Sequence, residues 1–221
     1  MAHWVAKCSE LLAPIYLKMK QQVLESGYVL SDDTSLQVLD KNIRKKSHKG
    51  YIWTYGNLEQ VVYDYTTGRN REGPNNFLKN YKGYLQTDGY AAYNDLSSSK
   101  DIVQLGCWAH ARRKFFELKD VEPQLTEYPL DVIGEMYKVE KNFGSGVISF
   151  EERKTKAEEL QKSFEKWLKK TYPTLLPASS IAKACKYSLN QWDKLTQYHK
   201  NESLQIDNNF SERCIKSVVI G

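Results

Sequence analysis

Gly83-Tyr84-Leu85-Gln86-Thr87-Asp88-Gly89-Tyr90-Ala91-Ala92-Tyr93 joins a strand, a carboxylate and a turn within eleven residues. Tyr84 to Thr87 has the composition of a short strand, and it ends in a carboxylate. Gly89 supplies the backbone freedom for a sharp turn. Tyr90 to Tyr93 read as the first turn of a helix. A carboxylate at the C-terminal end of a strand is where an α/β protein exposes side chains for chemistry. Asp is also a favoured helix cap, and on this stretch alone the cap is the stronger reading. The decision passes to the rest of the chain.

The 221 residues suffice for one sizeable domain, or for one domain with a large insertion. Hydrophobic residues make up 41% and charged residues 27%, as in an ordinary globular protein. No apolar run approaches the ~18 residues of a membrane span, and Met1 to Leu12 lack the basic start and apolar core of a secretory leader. A cytoplasmic protein without a membrane partner is expected. Cys8, Cys107, Cys185 and Cys214 show no framework spacing, so reduced thiols are expected. Cys107 and His110 have the spacing of half a zinc site, but no second pair accompanies them. The net charge of +5 permits nucleic-acid binding without requiring it. Basic residues bunch at Lys41, Arg44, Lys45, Lys46 and Lys49, and again at Arg112, Arg113 and Lys114. Each bunch reads as a solvated basic face or as a surface for phosphates.

Upstream of the opening stretch, residues 4–25 read as a helix broken at Pro14 and stopped by Gly27. Tyr28 to Leu30 form a short apolar strand, with Asp32 and Asp33 directly after it. Acidic residues are poor strand formers, so their placement implies a turn or a metal site. A basic loop, Arg44 to Gly50, leads into Gly50 to Gly56 and Gln60 to Thr66, two strands in hairpin arrangement. A short helix is expected over Asn75 to Tyr81, with Pro74 near its start. Downstream, Asp101 to Trp108 is a fifth strand and Ala109 to Lys119 a basic helix. From Asp120 to Glu202 strand signals give way to helical periods. One helix covers Tyr128 to Phe143 with Pro129 at its first position, a second covers Phe150 to Tyr172, and a third is capped by Ser179 or Ser180. Their aromatic stripes read as core. A last helix follows Asp207 or Asn208 as cap and carries Glu212 near its start. The division expected is 1–27 helical, 28–119 the first part of an α/β core, 120–202 a helical insertion, and 203–221 a helix completing the core.

A three-stranded meander, two further strand–helix units and a late helix give a mixed sheet with helices on both faces. With carboxylates at the first strand, the fourth strand and the late helix, this order resembles the RNase H-like fold of DDE transposases and integrases. The wording narrows the resemblance to transposases of the insertion sequence 66 family. Ser31 to Leu39 (SDDTSLQVL) looks like the family's first-Asp motif, usually Asp-Glu-Thr. Gly83 to Tyr93 looks like its second-Asp motif. Gly106 to Leu118 (GCWAHARRKFFEL) is very similar to its most recognisable segment, and Ile206 to Lys216 (IDNNFSERCIK) to the motif around its catalytic Glu. Asp33 stands where Glu is usual, and Lys216 where Arg is. The resemblance spans Trp4 to Gly221. It implies a catalytic-domain fragment, or a decayed copy, without the zinc-binding, helix-turn-helix and C-terminal basic-aromatic regions expected of longer members.

The resemblance assigns Asp32, Asp88 and Glu212 as catalytic and metal-binding residues. It implies two Mg²⁺ (or Mn²⁺) ions, Asp32 bridging both, Asp88 holding one and Glu212 the other. Two such ions about 3.5–4 Å apart activate an attacking oxygen and stabilise a leaving one. The implied reactions are cleavage at a transposon end and transfer of its 3′-OH into target DNA. Without metal, clustered carboxylates repel and one should titrate high. Supporting roles fall to Asp33, His110, Asn208 and Asn209. Arg112, Arg113, Lys114 and Arg213 are candidate DNA contacts, and His110 equally a group satisfying a helix start. The partners implied are transposon-end and target DNA in the nucleoid, further copies of the chain on DNA, and other proteins encoded by the element. Two alternatives remain: an RNase H-like metal-dependent nuclease, and an inactive DNA-binding or assembly remnant.

Overall fold

The computed structural model describes residues 2–39, 47–98 and 101–220. They form two compact units, Met1–Gln104 with Asn208–Gly221, and Leu105–Asp207. The basic positions Lys41, Arg44, Lys45 and Lys46 lie outside the described residues.

The first unit is built on a mixed five-stranded sheet in the order β3-β2-β1-β4-β5. Its strands are β1 (Tyr28–Leu39), β2 (Ser47–Gly56), β3 (Val61–Thr66), β4 (Gly83–Gln86) and β5 (Ile102–Leu105). β1 is antiparallel to β2 and parallel to β4, and β2 is antiparallel to β3. Helices α1 (Ala2–Glu25), α2 (Glu72–Phe77) and α8 (Asn209–Ile220) flank the sheet, with a 3₁₀ segment at Ala91–Ser98. This is the RNase H-like architecture that the motif order implies.

β1 is longer than its sequence suggests. It runs through Asp32 and Asp33 to Leu39, because ten residues of β2 pair with it, including Thr54 opposite Asp32 and Trp53 opposite Asp33. Cross-strand pairing here overrides the poor strand propensity of Asp. Alternation then sorts β1 onto two faces. Val29, Trp53, Tyr55, Val62 and Leu85 share the core cluster with Val23 of α1, Phe77 of α2 and Tyr93. Tyr55 stacks on Phe77 with ring centroids 3.6 Å apart. The opposite face carries Leu30, Asp32 and Thr54 and packs against α8. There Phe210 lies against Gly56, and the Tyr63 hydroxyl donates to the Cys214 carbonyl at 3.2 Å.

Pro14 does not break α1, which is continuous from Ala2 to Glu25. A proline removes one intrahelical hydrogen bond, and the flanking turns carry the helix past it. Gly27 stops it with φ +74°. The half of α1 nearest Gly27 packs through Tyr16, Met19, Val23 and Leu24. α2 covers Glu72–Phe77, earlier than the expected Asn75 to Tyr81, so Pro74 sits in its first turn, where a missing N–H costs little.

The second unit is helical: α3 (Trp108–Phe116), α4 (Pro123–Gly144), α5 (Phe150–Thr171), α6 (Ser180–Asn190) and α7 (Trp192–Leu195). It takes in α3 and begins earlier than the 120–202 block. α4 starts at Pro123, so Pro129 is buried inside the helix and not at its first position. α5 has a capping box, in which the Ser149 hydroxyl accepts from the Glu152 N–H and the Glu152 carboxylate accepts from the Ser149 N–H. Ser179 caps α6 in the same sense, its hydroxyl accepting from the Ala182 N–H. The aromatic stripes are core: Trp108, Phe115 and Phe164 are fully buried, and Trp167 stacks on Phe164. Arg153 is fully buried too. It forms a bidentate pair with Glu140 at 2.8 Å and donates to the carbonyls of Asn201, Glu202 and Leu204.

Candidate active site

The first two carboxylates follow the paired residues of neighbouring parallel strands. In the parallel β1–β4 ladder, Tyr28 pairs with Tyr84, Val29 with Leu85 and Leu30 with Gln86. Asp88 lies two residues past the end of this ladder, and its charge acts on Asp32, on Asp33 and on Arg69. Gly89, at φ +88°, turns the chain away directly afterwards. The Asp88 Oδ1 accepts from the Tyr90 N–H at 2.8 Å, an Asx turn. The local reading of Asp88 therefore accounts for one contact of one oxygen, with the 3₁₀ segment starting one residue later.

The third carboxylate comes from the far end of the chain. The Asn208 amide, fully buried, donates to the Ser31 carbonyl at 2.8 Å. That bond fixes the start of α8 on β1 one residue from Asp32. The Glu212 N–H donates to the Asn208 carbonyl at 3.3 Å, so Glu212 sits one turn on. Asn208 thus anchors α8 to the sheet through its side chain. Asn209 opens the helix half-buried, and Arg213 is exposed.

Electrostatics connects the three groups. Burial pushes the Asp32 carboxyl up from 3.8 to about 7, and the charges of Asp88, Asp33 and Glu212 push it the same way. The Asp33 N–H donates to the Asp32 Oδ1 at 2.8 Å, which opposes the shift without cancelling it. Among the described residues, no three His, Cys, Asp or Glu side chains stand close enough together to hold a metal ion as they are. The donor set still suits a hard divalent cation: three carboxylates in one electrostatic field, one of them largely buried and destabilised as an anion.

Asp33 belongs to the other face of the sheet. Its side chain is 4% exposed and receives a fork from Arg69, Nε to Oδ2 at 2.7 Å and Nη2 to Oδ1 at 3.0 Å. Burial raises its pKa despite that cation. The Arg69 guanidinium lies 3.8 Å from the centre of the Tyr90 ring. Sequence reasoning misses Arg69, because nothing in Thr67-Gly68-Arg69-Asn70 announces a partner 36 residues away.

His110, Arg112, Arg113 and Lys114 all lie on α3, within the second unit. His110 and Arg112 are half-buried, whereas Arg113 and Lys114 are exposed. Arg112 lies over the Phe116 ring, and the Lys114 ammonium over that of Tyr187 at 4.5 Å.

With this geometry, the sequence profile described as "Transposase IS66 family" matches residues 1–221, the whole chain. The chain belongs to the IS66 transposase family. Relatives of this family member include two proteins of Sinorhizobium fredii described as uncharacterized proteins y4hP and y4qI. The first is 26% identical over 251 residues and the second 29% over 241, each aligning with all of this chain. The chain spans less than half of their lengths, 45% and 44%. No solved structure matches this transposase-family chain. Among the described residues no helix is long and apolar enough to cross a membrane.

Proposed function

We propose that this chain is the catalytic portion of a DDE transposase, which cuts DNA at the ends of an insertion sequence and joins them to a target. The observation that supports this reading best is the bond from the Asn208 amide to the Ser31 carbonyl, which brings the helix bearing Glu212 onto β1 one residue from the half-buried Asp32, whose pKa burial and the charges of Asp88, Asp33 and Glu212 all raise. A structural carboxylate placed for stability would be paired with a cation or exposed to water. Asp32, Asp88 and Glu212 would hold the divalent ions. Bound there, such ions supply charge stabilisation for an attacking and a leaving oxygen. The chain's own part is to hold the three ligands on the central strand β1, on the turn after β4 and on α8. The Ser31–Asn208 bond does so for α8, and the turn at Gly89, with the Tyr90 N–H on the Asp88 Oδ1, does so for Asp88. Arg213 on α8, and Arg112, Arg113 and Lys114 on α3, are the cations offered to phosphates.

Calorimetry with Mn²⁺ on the wild type, Asp88→Asn and Glu212→Gln tests the reading, each titration repeated with a transposon-end duplex. Binding lost in both variants supports it. Binding indifferent to both substitutions, or absent with and without DNA, refutes it. That last outcome would favour the reading as an inactive assembly remnant. If α3 meets the backbone, Arg112→Ala with Arg113→Ala lowers the salt slope of DNA binding by about 1–2.

A further inference from the structure

Asp33 and Arg69 form a relay that ends on Asp88. Asp33 is nearly sealed from solvent and takes both ends of the Arg69 fork. A planar guanidinium held at two points has a fixed orientation. Its face is packed on the Tyr90 ring, and the Tyr90 hydroxyl returns a hydrogen bond to the Arg69 carbonyl at 2.9 Å. Tyr90 is therefore gripped by ring and hydroxyl from the loop between β3 and α2. Its backbone N–H in turn holds the Asp88 Oδ1. Asp88 itself lies past the last residue of β4 and past its ladder with β1, so the strand alone does not fix its direction.

We infer that Arg69 is a positioning residue, which through Tyr90 holds the Asp88 carboxylate in its place in the turn after β4. The inference rests on the proposed function for its purpose, but its geometry can be tested alone. The pairing also gives a role to the acidic residue after Asp32, whose side chain lies on the other face of β1. It is the fixed point of the relay. A lysine at position 69 keeps the charge but has neither the fork nor the flat face.

The test uses the full chain with Arg69→Ala, Arg69→Lys and Asp33→Asn. Amide hydrogen exchange is followed at Tyr90 and, as internal reference, at Trp53 and Leu85 in the sheet. Mn²⁺ affinity is measured on the same samples. In all three variants Tyr90 should exchange about ten-fold faster or more while the sheet amides hold, since only a local opening is eased. Arg69→Lys should not rescue it, and Mn²⁺ should bind several-fold more weakly. Unchanged Tyr90 exchange overturns the inference. So does exchange that quickens equally at Trp53 and Leu85, which would make the pair a global stabiliser only. If the wild type binds no Mn²⁺ with or without DNA, the proposed function falls, and Tyr90 exchange still decides whether Arg69 positions the turn.

Discussion

Replacing Asp32 by asparagine removes a half-buried carboxyl group whose pKa stands at about 7 against an ordinary value of 3.8. In the folded protein this group keeps its proton to near neutrality. In the unfolded chain it loses the proton near pH 4. Between those values the native state binds more protons, so stability falls as pH rises. The contribution is fully present below the unfolded pKa and lost as pH climbs through the native one. At ~1.4 kcal/mol per unit, the shift corresponds to a ceiling of ~4 kcal/mol above pH 7. Most of the change, ~2.5 kcal/mol, falls between pH 5 and 8. Solvent reaching the site trims this to ~2 kcal/mol. An asparagine side chain cannot ionise, so the variant escapes the loss. Urea denaturation at pH 5, 6, 7 and 8, without divalent cations, should show Asp32→Asn gaining on the wild type as pH rises, by ~2 kcal/mol over the range. Millimolar Mg²⁺ at pH 8 should then narrow the gap by stabilising the wild type alone. A difference that stays flat from pH 5 to 8 would refute the reasoning, because it would mean that Asp32 titrates as an ordinary carboxyl group.

Three further outcomes follow from packing. Gly83→Ala should cost ~3 kcal/mol or more in denaturant unfolding; φ is +133° there, and a Cβ would overlap the Gly27 carbonyl oxygen and lie 2.9 Å from its carbon. A loss under ~0.5 kcal/mol would show that β4 can shift away from Gly27. Glu140→Ala should cost ~3–5 kcal/mol, since it strands the buried Arg153 guanidinium, and Glu140→Leu with Arg153→Met should recover much of that by thermal melting. Ser149→Ala should lower stability by ~1 kcal/mol through loss of the α5 capping box, an effect that circular dichroism melts at fixed pH would detect.

Much of the site is legible because it is written locally. Gly89 after Asp88 signals the turn, and Ser179 signals a helix start. The assignment of Asp32, Asp88 and Glu212 rests on motif order, and the β1–β4 ladder ends two residues before Asp88. What stays hidden depends on contacts distant in sequence. β1 continues to Leu39 only because β2 pairs with it. Asn208 reads as a cap, whereas its side chain reaches Ser31, 177 residues earlier. Arg69 carries no pattern at all, since its partner is chosen by which face of β1 Asp33 occupies. The start of α4 is misplaced from sequence because Pro129 also suits a first turn, and Pro123 is the proline that holds that position.

The bond between the Trp108 N–H and the Ile206 carbonyl, 3.2 Å, joins the two ends of the helical unit to each other. Seen from the sheet, a connection of about 100 residues between β5 and α8 behaves as a short one once that unit has folded. An open chain of that length would cost ~4 kcal/mol in closure entropy before α8 could reach β1. The helical unit removes that cost in advance. Its own stability is thereby coupled to how often Glu212 is delivered to the sheet. Lesions within the helical unit, such as a stranded Arg153, should then raise the population of chains whose sheet is intact and whose last helix is undocked.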